Sequence, residues 1–155
     1  MNASQETVLF NTQITTRLIK IIDEAEAPHD VILVTPYIDL DRWAHIKSPI
    51  ERAVERGVKV SVVLRLDDLP KGRQVGGDKG AASVDWLLNT GASVYELANL
   101  HAKIYMSEKS ILLGSMNLTA SSANNSLEIA LAVRDRDAAA LVRGYVEDTL
   151  MKNAK

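Results

Sequence analysis

At 155 residues the chain has the length of one domain, residues 1–155, with no room for a second catalytic unit. Lys plus Arg number 18 against 20 Asp plus Glu, a net charge of -2, and 46% of residues are apolar, which excludes a histone-like polycation and suits a packed core rather than disorder. The absence of Cys removes disulfide scaffolds, thiolate zinc sites and Cys nucleophiles together, and leaves three His for chemistry.

Over 13–27, Ile14, Leu18, Ile21, Ile22 and Ala25 recur at helical spacing, predicting an amphipathic helix that Pro28 stops. The run 31–34 is continuously apolar and closed by Thr35-Pro36, the pattern of a strand covered on both faces in a parallel sheet. Ser48-Pro49-Ile50-Glu51 reads as an N-cap, a first-turn Pro and an N3 acid, so a helix is expected over 49–56 with Gly57 as its left-handed stop. A β-branched strand over 58–64 follows, and helix, strand, helix, strand is α/β grammar. The stretch 67–80 holds four Gly and one Pro and predicts a long surface loop.

A helix is expected over 81–89 with Val84, Leu87 and Leu88 on one side, then a strand over 92–97. Two short strands over 101–106 and 111–113 flank a hairpin-like break at 107–110. A last strand over 127–133 and a helix over 135–150, with Ala138, Leu141, Val142, Tyr145 and Val146 inward, complete the pattern. The predicted fold is α/β, a mixed, largely parallel β-sheet flanked by helices on both faces. No apolar run approaches the roughly 18 residues of a membrane span, and the start 1–6 lacks a basic and apolar leader, so a cytoplasmic protein without stable membrane association is expected.

Chemistry concentrates in His101-Ala102-Lys103, Gly114-Ser115-Met116-Asn117 and Glu128. Side chains two apart on a strand share a face, which sets His101, a nucleophile or base, beside the fixed charge of Lys103. Gly114 permits close backbone approach, and Ser115 and Asn117 offer neutral donors, so the group suits a phosphate. A carboxylate such as Glu128 bonded to one ring nitrogen of His101 would fix its tautomer and raise the basicity of the other nitrogen.

This pattern, His101-x-Lys103, then Glu108, then Gly114-Ser115-x-Asn117, resembles the HxKxxxxD and GSxN signature of the phospholipase D superfamily. Outside it, Arg56-Gly57-Val58-Lys59-Val60 looks like the helix-to-strand turn of small bacterial nucleases of that superfamily. The resemblance implies a phospholipase D-like fold and a metal-independent phosphodiesterase needing no cofactor. Carried over residue by residue, it implies that His101 attacks phosphorus to form a phosphohistidine, Lys103 and Asn117 hold the non-bridging oxygens, Ser115 assists and Glu128 orients His101. Glu108 stands where the motif has Asp, a position that mostly supports the local fold.

The family normally carries two motif copies and this chain carries one, so a homodimer is expected in which two copies of His101 meet at one phosphate, one as nucleophile and one as general acid. Because single-motif members are often endonucleases, the expected substrate is nucleic acid, DNA ahead of RNA. The competing readings are a lipid phosphodiesterase or phosphatidyl transferase, and a noncatalytic phosphate- or nucleic-acid-binding module.

His45-Ile46-Lys47 also reads H-x-K but has Arg52 in place of the acid and no Gly-Ser-x-Asn after it, so a surface or interface His is expected there. His29 reads as a loop residue. Gly72-Arg73-Gln74-Val75-Gly76-Gly77-Asp78-Lys79 lacks the Lys-Ser/Thr ending of a phosphate loop, and its alternative role is a basic rim of Lys71, Arg73 and Lys79 near the substrate. Asp67-Asp68 has no evident companion ligands for a divalent ion, so no metal is expected, and Trp43 and Trp86 read as packing residues.

Overall fold

The computed structural model describes residues 5–66 and 77–154, and it opens on a strand the sequence does not announce, β1 (Gln5–Phe10). In chain order follow α1 (Thr12–Glu24), β2 (Asp30–Val34), β3 (Ile38–Asp39), α2 (Ala44–Glu55), β4 (Lys59–Leu66) and α3 (Gly77–Thr90). The second half comprises β5 (Ser93–Ala98), β6 (Ile104–Met106), β7 (Ser110–Gly114), β8 (Leu118–Thr119), α4 (Ala120–Asn125), β9 (Ile129–Arg134) and α5 (Arg136–Tyr145). A wider helical turn over Val146–Leu150 and a tighter one over Met151–Asn153 continue α5.

Among the described residues, seven strands form one sheet in the order β1-β9-β7-β6-β2-β4-β5, and β3 pairs β8 in a small parallel ladder. β2, β4 and β5 are parallel, while β6, β7, β9 and β1 add on antiparallel to their neighbours. By direction, β1, β2, β4, β5 and β7 therefore point one way and β6 and β9 the other. The sheet is thus mixed, its parallel part being β2, β4 and β5 and five of its seven strands running one way, with helices on both faces.

β2 shows why its sequence is a continuous apolar run. Val31 and Leu33 enter the core built with Ile14, Leu18 and Ile22 of α1 and Ile46 and Ile50 of α2. Ile32 and Val34 enter the opposite core, with Ala139 of α5 and Val146 and Leu150 beyond it. Each such side chain contributes about 1.5–3 kcal/mol by leaving water, so neither face of β2 tolerates a polar residue.

Three expectations change. The second helix begins at Ala44, not at 49, and Pro49 lies inside it. The buried spacing Ile46, Ile50, Ala53 carries the helix back past the Ser48-Pro49 signal, and near the helix start Pro49 sacrifices one backbone bond, to the His45 carbonyl. The predicted loop 67–80 ends earlier, since Gly77 to Gly80 form the first turn of α3, which is anchored where Ser83 Oγ accepts the Leu40 N–H at 2.8 Å. Leu88, Leu141 and Tyr145, expected inward, are exposed. For α5 the reason is rotational phase, because Ala139 and Val146 face the sheet and Leu141 is left 77% exposed on the outer side.

Other signals match. Gly57 has φ +86°, the left-handed stop of α2, and the Arg56 guanidinium donates to the Ala25 carbonyl (3.0 Å) and the Ile22 carbonyl (2.5 Å) at the end of α1. Among the described residues no helix is long and apolar enough to cross a membrane.

Candidate active site

Strand register brings the chemistry together. β6 runs antiparallel to β2 with Ile104 opposite Val34, so 101–103 project beyond the carboxyl end of β2. β7 returns with Leu113 opposite Ile104, placing Gly114 and Ser115 at that same end, and β9 pairs Ala130 with Gly114, so Glu128 arrives there just before its strand. The chain leaves β2 toward β4 on one side while β6 lies on the other, and such a switch point at the carboxyl end of strands is where open α/β sheets bind ligands.

His101 and Lys103 lie in the irregular segment before β6, one or more residues outside the strand expected to hold them. The His101 side chain is exposed and, among the described residues, has no hydrogen-bond or ion-pair partner. Lys103 is half-buried, and its Nζ donates to the His101 carbonyl at 3.3 Å, which keeps the ammonium beside the His101 backbone. Ser115 Oγ donates to the Glu128 carboxylate and accepts the Ile129 N–H at 3.1 Å, while its own N–H donates to the Ile129 carbonyl at 3.1 Å. Glu128 is thus engaged by Ser115 and makes no bond to the His101 ring within the chain.

Three supporting residues have no counterpart in the sequence pattern. Asn11, at φ +52°, donates its N–H to the Glu128 carbonyl at 3.1 Å and accepts the Glu128 N–H on Oδ1 at 3.0 Å. With ψ at -123° it stands outside the left-handed α region, in a conformation that non-glycine residues rarely adopt. Tyr105 Oη donates to the Met116 carbonyl at 2.6 Å, and Thr35 Oγ1 accepts the Leu118 N–H at 3.0 Å. Burial pushes the Tyr105 phenol well above its ordinary range and the Glu128 charge adds to that, while the Thr35 hydroxyl works the other way, so Tyr105 remains a neutral donor. The available signal was parity, since Tyr105 follows His101 and Lys103 at steps of two.

Asn117 sits between these two anchors, and its Oδ1 is buried without a partner among the described residues. A buried acceptor left unpaired costs about 1–3 kcal/mol, which a ligand or partner bringing a donor would relieve. At Gly114 an added Cβ would overlap the Ile129 carbonyl and stand 2.7 Å from Ala130 Cβ. The close approach that this glycine permits is therefore by β9 rather than by an anion.

Glu108 is elsewhere. It follows β6 at the opposite end of the sheet, bonded to the Arg136 guanidinium and 3.1 Å from His29 Nε2, so His29 is a partner of the motif acid and not a bare loop residue. His45 is exposed in the first turn of α2, at the end where β2 finishes. Asp67, Asp68, Lys71 and Arg73 lie outside the described residues, and Lys79 falls in the first turn of α3. Trp43 is buried, and Trp86 packs on the core with Lys47 Nζ 5.2 Å from its ring centroid. Among the described residues, no three His, Asp or Glu side chains cluster as metal ligands.

The sequence family described as cardiolipin synthase, PLD-like domain, matches residues 18–150. Among solved structures, the phospholipase D family member Nuc from Salmonella typhimurium shares 18% identity and a TM-score of 0.76, covering 99% of this chain and 97% of its own. NucT from Helicobacter pylori shares 18% identity and a TM-score of 0.77, with 98% of each chain covered. Phosphatidylserine synthase from Haemophilus influenzae shares 14% identity and a TM-score of 0.73 over 100% of this chain but 40% of the other. No curated protein matches the chain. At these identities the structural likeness establishes a common fold.

Proposed function

We propose that this chain, which belongs to the phospholipase D-like domain family, is a phosphodiesterase, that residues 1–155 act as one domain, and that its substrate is nucleic acid. The observation that carries the reading is the convergence of His101, Lys103, Ser115, Asn117 and Glu128, from three separate segments, at one end of the sheet.

In this reading His101 attacks phosphorus, forming a P–N bond as the P–O bond to the leaving alkoxide breaks. Lys103 and Asn117 take the charge that builds on the non-bridging oxygens, where fixed donors are worth several kcal/mol. Ser115 holds the Glu128 carboxylate at this end of the sheet, and the carboxylate's bond to an imidazole forms only in the assembled dimer. A protonated His101 from a second copy gives its proton to the leaving alkoxide, contributing about 10²- to 10⁴-fold. The second copy's His101, now neutral, takes a proton from a water that attacks the phosphohistidine; the P–N bond breaks, and the monoester leaves with both imidazoles restored. No metal ion takes part in these steps.

The exposed His101 ring, unpartnered among the described residues, supports the dimer. So does an exposed apolar row beside it, in which Val8 lies opposite Leu131 and Phe10 opposite Ile129, the residue that holds Ser115. Nucleic acid is favoured over lipid on size, because the single-motif chain matches Nuc and NucT over nearly their whole lengths and phosphatidylserine synthase over 40%. The family description favours lipid as the second reading.

The test is a substrate panel of single-stranded DNA, duplex DNA, RNA and phosphatidylcholine vesicles, run in EDTA with His101→Ala as control. Cleavage of DNA by the wild-type chain, reduced by several orders of magnitude in His101→Ala, is expected. Cleavage of phosphatidylcholine alone would replace the substrate, and activity that needs an added divalent ion would overturn the mechanism.

A further inference from the structure

We propose that Thr35 and Tyr105 are positioning residues that fix the Asn117 carboxamide by clamping the two peptide groups on either side of it. The inference deepens the reading above, since it takes Asn117 as a ligand of the phosphoryl oxygens.

Residues 115–118 cross from β7 to β8 outside any ladder until Leu118 meets Ile38. Around Asn117, the preceding peptide is held at its carbonyl by the Tyr105 hydroxyl (2.6 Å) and the following peptide at its N–H by the Thr35 hydroxyl (3.0 Å). With each flanking peptide tied by a buried bond, the φ and ψ of Asn117 are restrained, and with them the direction of its Cα–Cβ bond. Both clamping side chains are buried, Thr35 at 0% and Tyr105 at 2% exposure, so water does not compete for either bond.

The clamp is itself anchored. Thr35 donates its hydroxyl to the Tyr37 carbonyl at 2.7 Å and its N–H to the Val63 carbonyl at 3.0 Å, tying it to the turn before β3 and to the middle of β4. Tyr105 stands two residues after Lys103, so the two proposed oxygen ligands, Lys103 and Asn117, are registered against each other through one phenol. Burial keeps that phenol protonated, and the bond it donates persists across the working pH range. A Phe at 105 would fill the same space and hold nothing, and a Val at 35 would leave the Leu118 N–H without an acceptor.

The rival account is that both hydroxyls only satisfy buried backbone groups, which would affect stability and leave catalysis unchanged. Tyr105→Phe, Thr35→Val and Thr35→Ser distinguish the two in the full chain, assayed with bis(p-nitrophenyl) phosphate, by thermal melting, and by inorganic phosphate binding followed by ³¹P line broadening. A ligand displaced by an ångström loses about 10²-fold. Tyr105→Phe and Thr35→Val are therefore expected to lower kcat about 10- to 100-fold with little change in KM and weaker phosphate binding, and Thr35→Ser to restore both. Folded Tyr105→Phe and Thr35→Val proteins with wild-type kcat and phosphate affinity would overturn the clamp and leave the phosphodiesterase reading standing. Should the wild-type chain fail to turn over, that reading falls, and the clamp is judged on phosphate binding, where no binding or an unchanged affinity counts against it. Each variant reads a different peptide, so one that does not fold leaves the other to decide.

Discussion

Gly114 shows how narrowly the site depends on a single side chain's absence. Any Cβ there would overlap the Ile129 carbonyl and crowd Ala130, so Gly114→Ala pushes β9 away from β7 at the point where Ile129 holds Ser115. Overpacking of that kind costs about 1–3 kcal/mol, and the displaced Glu128 and Ser115 are expected to take at least tenfold of the activity with them. Urea denaturation and initial rates check this, and a variant normal in both would mean that β9 yields without disturbing the site. That His101, Lys103, Ser115, Asn117 and Glu128 come to one end of the sheet was legible in the sequence, because their motif spacing and residue chemistry set them apart. Asn11 and Thr35 were not, since their partners lie 117 and 83 residues away and nothing local distinguishes an Asn or Thr that will meet such a partner.

At the scale of elements, the apolar runs spoke most clearly: β2 and β4 are read correctly because burial on both faces selects apolar side chains, with Ser61 of β4 the buried exception. β1 was invisible because it is an edge strand with only Leu9 buried, and α4 because its six residues, Ala120–Asn125, bury a single Ala. The start of α2 was misread where a strong local cap signal lost to tertiary burial of Ile46. Glu108 belongs to this scale too, since it joins the β6–β7 turn to His29 before β2 and to Arg136 at the start of α5. Glu108→Gln is expected to lower stability by less than about 1 kcal/mol, as partly exposed ion pairs do. It should leave kcat/KM within twofold, as the site is at the other end of the sheet. A large catalytic loss at unchanged stability would assign the motif acid a direct part.

For the whole molecule, the proposed dimer makes a demand on the exposed row of Val8, Phe10, Ile129 and Leu131. A charge buried in an apolar contact is costly, so Phe10→Lys, at a position 53% exposed in the single chain, is expected to spare the fold and break the dimer. Sedimentation velocity should then show monomers, and the rate should fall with the fraction dissociated. An active monomer, wild-type or variant, would move attention to His45 as the second imidazole.

The pairing of β1 with β9, sealed by Asn11 on Glu128, also fixes when the site can exist. Among the described residues β1 has no strand partner but β9, and closing so distant a contact comes late because loop closure opposes it. A polypeptide not yet synthesised through β9 therefore lacks the contact with Asn11 that holds Glu128, and the candidate site closes only when these two distant segments have met.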